Sequence, residues 1–364
     1  MLPNYLSVSG KTRQNDLDVN FTISIQPGAS TTRGGIQGGS DGRANSQSQE
    51  NRQAFLTFGD ASWGSIKLGK DLGIFASDAI LNDMTLLGVG SGAGGLAGNT
   101  TTTGRIGTGF MYADWKAQVA YTTPNFNGFS ATVGVTQAWN VNNTIAGATS
   151  TGRGGNEPAF EGKVSYDFAA DAVKGKAWAS FVSQKVVGLT NGGTLDSTAV
   201  GAGNVVTGTN GTLVALSGAA ANDQANAWDI GANLSAAGFG LTGYYYEGNG
   251  IGQTIQLNGG FDAAGNDRNS EGYYVQATYA LPGVGTKLGV SYGESQLKGT
   301  SAEATLNKIT DDMWTVGVYH PITKHLNLVA EYSEAQHKYD VKTSGTDTTS
   351  SKGKTVALGA ILFF

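Results

Sequence analysis

The sequence predicts an all-β fold: a transmembrane antiparallel β-barrel of about 16 strands, of which about 15 can be read along the chain. Three observations predict it. Apolar and polar residues alternate with a period of two over runs that often exceed ten residues. The connections between those runs are alternately short and long. The chain also ends on an apolar alternating strand, G-K-T-V-A-L-G-A-I-L-F-F, with nothing after Phe364. A terminus of that kind frays unless it is paired in a sheet, and one greasy face per strand is what lipid requires of a barrel.

The alternation is clearest where Val19, Phe21, Ile23 and Ile25 interleave with Asn20, Thr22, Ser24 and Gln26, and where Leu326, Leu328, Ala330 and Tyr332 interleave with Asn327, Glu331 and Ser333. A β-sandwich shows the same pattern but uses strands nearer 5 to 6 residues and buries the greasy face against a second sheet. Strands are read at 4–11, 18–26, 52–59, 63–70, 115–123, 128–138, 159–168, 174–186, 225–235, 238–248, 270–280, 285–297, 312–320, 325–337 and 353–364. Trp63, Trp115, Tyr121, Tyr166, Tyr279, Trp314 and Tyr332 fall near strand ends, where the aromatic girdles of a membrane barrel belong.

Links such as 59–62, 124–128, 236–237, 281–284 and 320–324 carry the Gly, Pro, Asn and Asp of tight reversals and are read as periplasmic turns. The Gly/Ser/Thr/Asn/Asp-rich segments near 27–51, 71–114, 139–158, 187–224, 249–269, 298–311 and 338–352 are read as external loops. The whole of 1–364 is read as one barrel domain.

Composition agrees. The 364 residues include 56 Gly, 6 Pro and no Cys, with a formal charge of −5 and 39% hydrophobic residues. No window approaches the roughly 18 to 20 uninterrupted apolar residues of a spanning helix. A mean hydropathy of −0.18 is still compatible with membrane insertion, because each barrel strand needs apolar residues only on alternate positions. The absence of Cys suits an oxidising compartment. Mild acidity without a basic, aromatic-studded patch argues against nucleic acid. The opening Met1-Leu2-Pro3-Asn4 has neither the charged nor the apolar region of a signal peptide, so the chain is expected to be a mature or recombinant form from which the leader, and more besides in one reading, has been removed.

The residues that carry a family resemblance are S-V-S-G-K, D-L and F-T-I-S-I-Q-P-G within 7–28, N-R-Q-A-F-L-T-F-G-D-A-S-W-G-S-I-K-L-G-K-D-L-G-I-F at 51–75, A-Y-T-T-P-N-F-N-G-F-S-A-T-V-G-V at 120–135, and the terminal Phe364. In order and spacing they resemble the Gram-negative general diffusion porins, trimeric sixteen-stranded channels of the bacterial outer membrane. The resemblance covers nearly the whole chain. It implies a homotrimer surrounded by outer-membrane lipid and lipopolysaccharide. It also implies that Phe364 is the signal read by the barrel-assembly machinery. The family's opening strand has no counterpart before Met1, so either a short or cryptic strand fills the gap or, as the favoured expectation, the chain is one strand short through N-terminal trimming.

The resemblance further implies that the third external loop folds inward and opposes its carboxylates to a basic wall. The segment 71–114 fits this role as the longest connection: it carries Asp71, Asp78 and Asp83 together with Leu72, Ile74, Phe75, Ile80, Leu81, Met84, Leu86 and Leu87, the apolar content of a packed loop. Strand parity by itself places Lys11, Lys67, Lys116 and Lys163 inward, with Glu161, Asp167, Asp229 and Glu331 on the same side. Charged rings of this kind set ion preference in pores.

The leading expectation is therefore a water-filled channel for passive diffusion of small hydrophilic solutes and ions. A substrate-selective channel for an organic anion, phosphate or a sugar is an alternative, toward which Trp178, Tyr244 and Tyr246 hint. A surface adhesin or receptor on a plugged barrel is another. No enzyme activity, metal or cofactor is expected. The G-x-G-x-x-G at 90–95 neither follows a buried parallel strand nor opens a helix. His320, His325 and His337 lack the spacing of a zinc site. The sequon at 142–144 is a match by pattern only.

Overall fold

A computed structural model describes residues 4–27, 49–89, 102–139, 157–189, 205–207, 213–215, 221–262, 265–342 and 349–364. The run at 90–95 and the sequon at 142–144 lie outside them. Fifteen strands form one antiparallel sheet in sequence order. They are β1 (Leu6–Gln14), β2 (Leu17–Pro27), β3 (Ala54–Asp60), β4 (Gly64–Leu72) and β5 (Trp115–Thr122). There follow β6 (Phe129–Thr136), β7 (Ala159–Ala170), β8 (Val173–Leu189), β9 (Ala221–Ala236) and β10 (Phe239–Asn249). The last are β11 (Asn269–Ala280), β12 (Lys287–Lys298), β13 (Leu306–Pro321), β14 (Leu326–Val341) and β15 (Thr349–Leu362). Short pieces at Gln49–Glu50, against β2, and at Val205–Thr207 with Leu213–Ala215 complete the strand content.

Each strand pairs with its successor, and each short link makes a tight reversal. Asn15 and Asp16 both take positive φ, as do Ala237 and Gly238, the backbone of the two-residue hairpin turn whose twist matches the flanking strands. The barrel is not closed: among the described residues no ladder joins β1 to β15, which end the strand order. Backbone groups left unpaired in lipid are costly.

Register sorts the two faces. Phe21, Leu56, Leu68, Val119, Val135 and Phe160 occupy one continuous row across β2 to β7, and Phe21, Leu56, Val119 and Phe160 are exposed. This is the lipid-facing belt. The neighbouring row begins Lys11, Asn20, Thr57, Lys67, Ala120 and Gly134 and continues to Glu161 and Val182. It faces the lumen.

The principal core therefore lies inside the barrel. Phe75, Ala79, Ile80, Phe110 and Met111 from the connection between β4 and β5 pack on Trp178, Val182, Tyr244, Tyr246 and Tyr274 of the wall, together with Ile251, Leu257 and Phe261 of a second connection. Several strands extend beyond their sequence reading. β13 starts at Leu306 and not 312, β9 at Ala221 and not 225, and β14 continues to Val341 and not 337. These extensions are largely polar and are tied by pairs such as Lys338 Nζ to Asp312 Oδ2 at 3.0 Å, with Leu306 and Ile309 packed on Leu297, so they do not follow the membrane alternation. β15 stops at Leu362, two residues before the terminal aromatic.

Candidate functional site

The connection after β4 turns into the barrel because the wall supplies the partners that its backbone needs. Glu161 on β7 is the first anchor. Its Oε2 accepts the N–H groups of Ile74 and Phe75 at 2.7 and 2.8 Å, and its Oε1 accepts Thr136 Oγ1 at 2.8 Å and the ammonium of Lys116. Both Lys116 and Glu161 side chains are fully buried, so the pair persists only because every oxygen is occupied. At the neck of the loop, Gly73 N–H donates to Asp114 C=O at 2.8 Å.

A short helix, α1 (Ser77–Asn82), comes next and lies against β7 to β11. Asp78 points at the wall, where Lys163 Nζ lies 2.8 Å and Lys176 Nζ 2.6 Å from its two oxygens. Burial by itself would raise the Asp78 carboxyl, but the charges and hydrogen bonds of the two lysines prevail and hold it below its ordinary value. Farther along, Tyr274 OH donates to Ala79 C=O at 2.8 Å, Asn233 bonds Asn82, and Gln276 bridges Asn82 C=O at 2.6 Å and Met84 N–H at 2.8 Å.

Asp83 caps the 3-10 turn Met84–Leu87, accepting Thr85 N–H at 3.0 Å and its hydroxyl at 2.5 Å. Burial raises its carboxyl, with Arg105 acting in the opposite sense. Met84 then packs with Tyr319 and Val329, and Val89 reaches β15, where a Cβ on Gly359 would lie 2.7 Å from a Val89 methyl. Glycine at this wall position leaves the loop its space.

The return arm, described from Thr102, carries Arg105. This fully buried side chain crosses to the far wall and donates to Met313 C=O at 2.7 Å, to Thr108 C=O at 3.3 Å and to Ser291 Oγ. Gly109 N–H donates to Ser295 Oγ at 2.9 Å. The loop thus touches the inner face from β7 round to β15. Among the described residues, the row Lys11, Asn20, Thr57 and Lys67 on β1 to β4 has no such contact with it. Leu81, 58% exposed, is the uncovered side chain of α1.

The residues singled out from sequence fall as follows. Asp71 is the penultimate residue of β4, not part of the loop, and binds Lys67 and the amide of Gln53 at 3.0 Å. Asp71, Asp78 and Asp83 are 8%, 4% and 4% exposed, so all three face protein and not open space. Lys163 reaches the loop directly, and Lys116 reaches it through Glu161. Lys67 pairs with Asp71 and stands 4.9 Å over the Phe55 ring. Lys11 is exposed and has no ion pair among the described residues. Asp229 accepts Ser180 N–H and Oγ at 2.8 and 2.6 Å and Tyr244 OH at 3.1 Å. Glu331 accepts Tyr319 OH at 2.6 Å. Phe364 is 95% exposed.

Trp178, Tyr244 and Tyr246, which hinted at a solute track, are 3%, 4% and 0% exposed beneath the loop. They are packing for it. Lys176, Arg105 and Gln256 were missed. Lys176 could have been found, since it shares parity with Trp178. So could Arg105, the one charged residue between Gly88 and Ala113. Gln256 had no signal, because its role exists only where two loops meet.

Comparison with known proteins adds a family and a fold. A family model described as Gram-negative porin matches residues 4–340. No curated protein matches the chain. Among solved structures, the outer membrane channel DcaP of Acinetobacter baumannii is 15% identical, with 99% of this chain and 84% of that one covered and a TM-score of 0.63. An anion-selective porin from Comamonas acidovorans is 16% identical, with 99% and 90% covered and a TM-score of 0.53. The trimer form of OmpT from Vibrio cholerae is 12% identical, with 99% and 91% covered and a TM-score of 0.55.

Proposed function

Since the chain belongs to the Gram-negative porin family, channels of the bacterial outer membrane, we propose that it is a passive, water-filled pore for small hydrophilic solutes and ions. In this reading the connection between β4 and β5 narrows the pore. The observation that carries it is the one-sided docking of that loop: it is bonded to the inner wall from β7 to β15 and, among the described residues, leaves the row Lys11, Asn20, Thr57 and Lys67 uncovered. Solutes pass between that row and the free side of α1, near Leu81.

The carboxylates Asp71, Asp78 and Asp83 serve as loop and wall anchors in this scheme. Asp229 and Glu331 do the same beneath the loop. Fixed charge beside the passage comes instead from Lys11, which has no ion pair among the described residues, with Lys163 and Lys176 behind α1 adding positive charge because they share the single carboxylate of Asp78. A dipolar or anionic solute is favoured by such a wall. Assembly as a homotrimer is supported by the trimer form of OmpT; the surrounding outer-membrane lipid and lipopolysaccharide, and Phe364 as a signal for the barrel-assembly machinery, belong to the same proposal.

Single-channel recording of the refolded protein in a planar bilayer, with the reversal potential measured under a salt gradient, tests the proposal. Stepwise ohmic openings in groups of three are expected, with a reversal potential on the anion side. A membrane-inserted, heat-modifiable barrel that stays silent would overturn the open-pore reading in favour of a plugged adhesin or receptor.

A further inference from the structure

The connection between β10 and β11 also turns inward, and it is built into the first loop. Gly250 and Gly252 take positive φ, which steers the chain off the end of β10 into the lumen. Ile251, Leu257 and Phe261, at 1%, 0% and 0% exposed, join the same apolar cluster as Phe75 and Phe110. Main chain then meets main chain: Tyr112 N–H donates to Thr254 C=O at 2.9 Å, and Tyr112 and Ile255 form a parallel bridge.

Gln256 sits at the junction, 4% exposed. Its Oε1 accepts Lys116 Nζ at 2.6 Å, and its Nε2 faces the carbonyls of Tyr112 and Ala113, each at 3.4 Å. An amide is the side chain that fits, because one end must accept from an ammonium while the other donates to carbonyls. Lys116 is also the partner of Glu161, which holds Ile74 and Phe75. One buried network therefore fixes the outgoing arm, the return arm and the second loop together.

The second loop is itself held from behind. Arg268, fully buried, donates to Gly259 C=O at 2.9 Å and Phe261 C=O at 3.1 Å and pairs with Glu303 in the connection between β12 and β13. Gln253 Nε2 donates to Ser295 C=O at 2.9 Å and to Asp311 Oδ2 at 3.0 Å. A segment braced on both sides can act as a fixed stop.

We propose that the segment 250–262 is a second constriction element, and that Gln256 is the positioning residue that sets where the return arm 106–114 lies and so how wide the pore is. This rests on the channel reading given above. Removing the junction loosens the return arm at Tyr112 and Ala113, while Arg105 and Gly109 stay bonded to the far wall, which alters the width of the passage and exposes Lys116 to it.

The chain has no Cys, which permits a clean test. Gln256→Ala, checked for folding by heat-modifiable mobility, is expected to change single-channel conductance, add current flicker and move the reversal potential further to the anion side. Adding Tyr112→Cys and Ile255→Cys in that background and oxidising the pair is expected to restore quiet openings of the original size, with reduction reversing the rescue. Gln256→Glu supplies a second readout. At neutral pH it keeps the acceptor for Lys116 but loses both donors, and acidification returns one donor, so its flicker is expected to subside at low pH while wild type shows no such change.

Wild-type conductance, noise and selectivity in a folded Gln256→Ala would overturn this inference and leave the channel reading standing. Loss of rescue on oxidation, with the disulfide verified, would do the same. A silent wild-type protein would instead remove the channel reading on which the inference rests.

Discussion

The carboxylate of Asp78 and the ammonium of Lys163 meet at 2.8 Å across the boundary between an inward-folded loop and the barrel wall, with Lys176 at 2.6 Å on the other oxygen. Two cations on one buried acid make this contact both an anchor and a reserve of positive charge. Replacing Asp78 by Asn leaves two lysines without a counter-ion. The expected cost is about 3 kcal/mol at most, reduced because the lysine side chains are 22% and 25% exposed. Protease sensitivity within 73–89 should rise, and the reversal potential should move toward anions. An unchanged potential would show that these lysines do not face the permeation path.

The pH dependence has a definite sign. Asp78 is held below its ordinary 3.8, so its stabilisation is complete above that value and is lost only as pH falls through the lower folded value. Burial places Asp83 above 3.8; its ionised form is the costly one, and taking up a proton on acidification relieves that cost. Between neutrality and about pH 4 the two groups therefore predict a loop that stays docked, with loosening only below. Thermal unfolding of wild type and Asp83→Asn across that range checks it. Asp83→Asn should remove the gain on acidification, and loosening of the wild-type loop near pH 6 that Asp78→Asn abolishes would sink the assignment.

Glu161→Gln should harm the protein more than its small change in shape suggests. The amide offers one acceptor where the carboxylate satisfies two backbone N–H groups, a hydroxyl and Lys116, and it leaves a fully buried ammonium without an anion. A loss of about 3 to 5 kcal/mol is expected, seen as a lower temperature for the heat-induced mobility shift. A companion Lys116→Met, which removes the stranded charge, should recover part of it.

Lys11→Glu tests the uncovered wall. Lys11 has no ion pair among the described residues, while Lys67, three positions along the same row, is paired with Asp71. Charge reversal at Lys11 should therefore shift ion preference toward cations more than Lys67→Gln does, with little effect on stability. The opposite ranking would relocate the passage.

Strand content was legible because each strand obeys a rule of period two that lipid enforces locally. Val19 to Gln26 shows it without any knowledge of neighbours, and the same parity placed Lys116, Lys163, Glu161, Asp229 and Glu331 on the inner face. Less was legible at 306–311 and 338–341, where polar strand above the membrane reads like loop. That the 71–114 segment is a packed loop could be anticipated from its apolar content, and its inward turn only from the family resemblance; the direction of its acids could not be anticipated at all. A carboxylate in a loop has no face until the loop is docked.

The sequence by itself determined a barrel, its order of strands and the alternation of short and long connections, because each depends on residues close together in the chain. Only the tertiary structure decided that Asp78 binds Lys163 and Lys176, that Asp71 closes on Lys67 within its own strand, that Trp178, Tyr244 and Tyr246 pack a loop and do not line a path, and that Gln256 joins two loops through Lys116. Those relationships bring distant segments into one desolvated space, where a charge or amide must find whichever partner the folded wall presents.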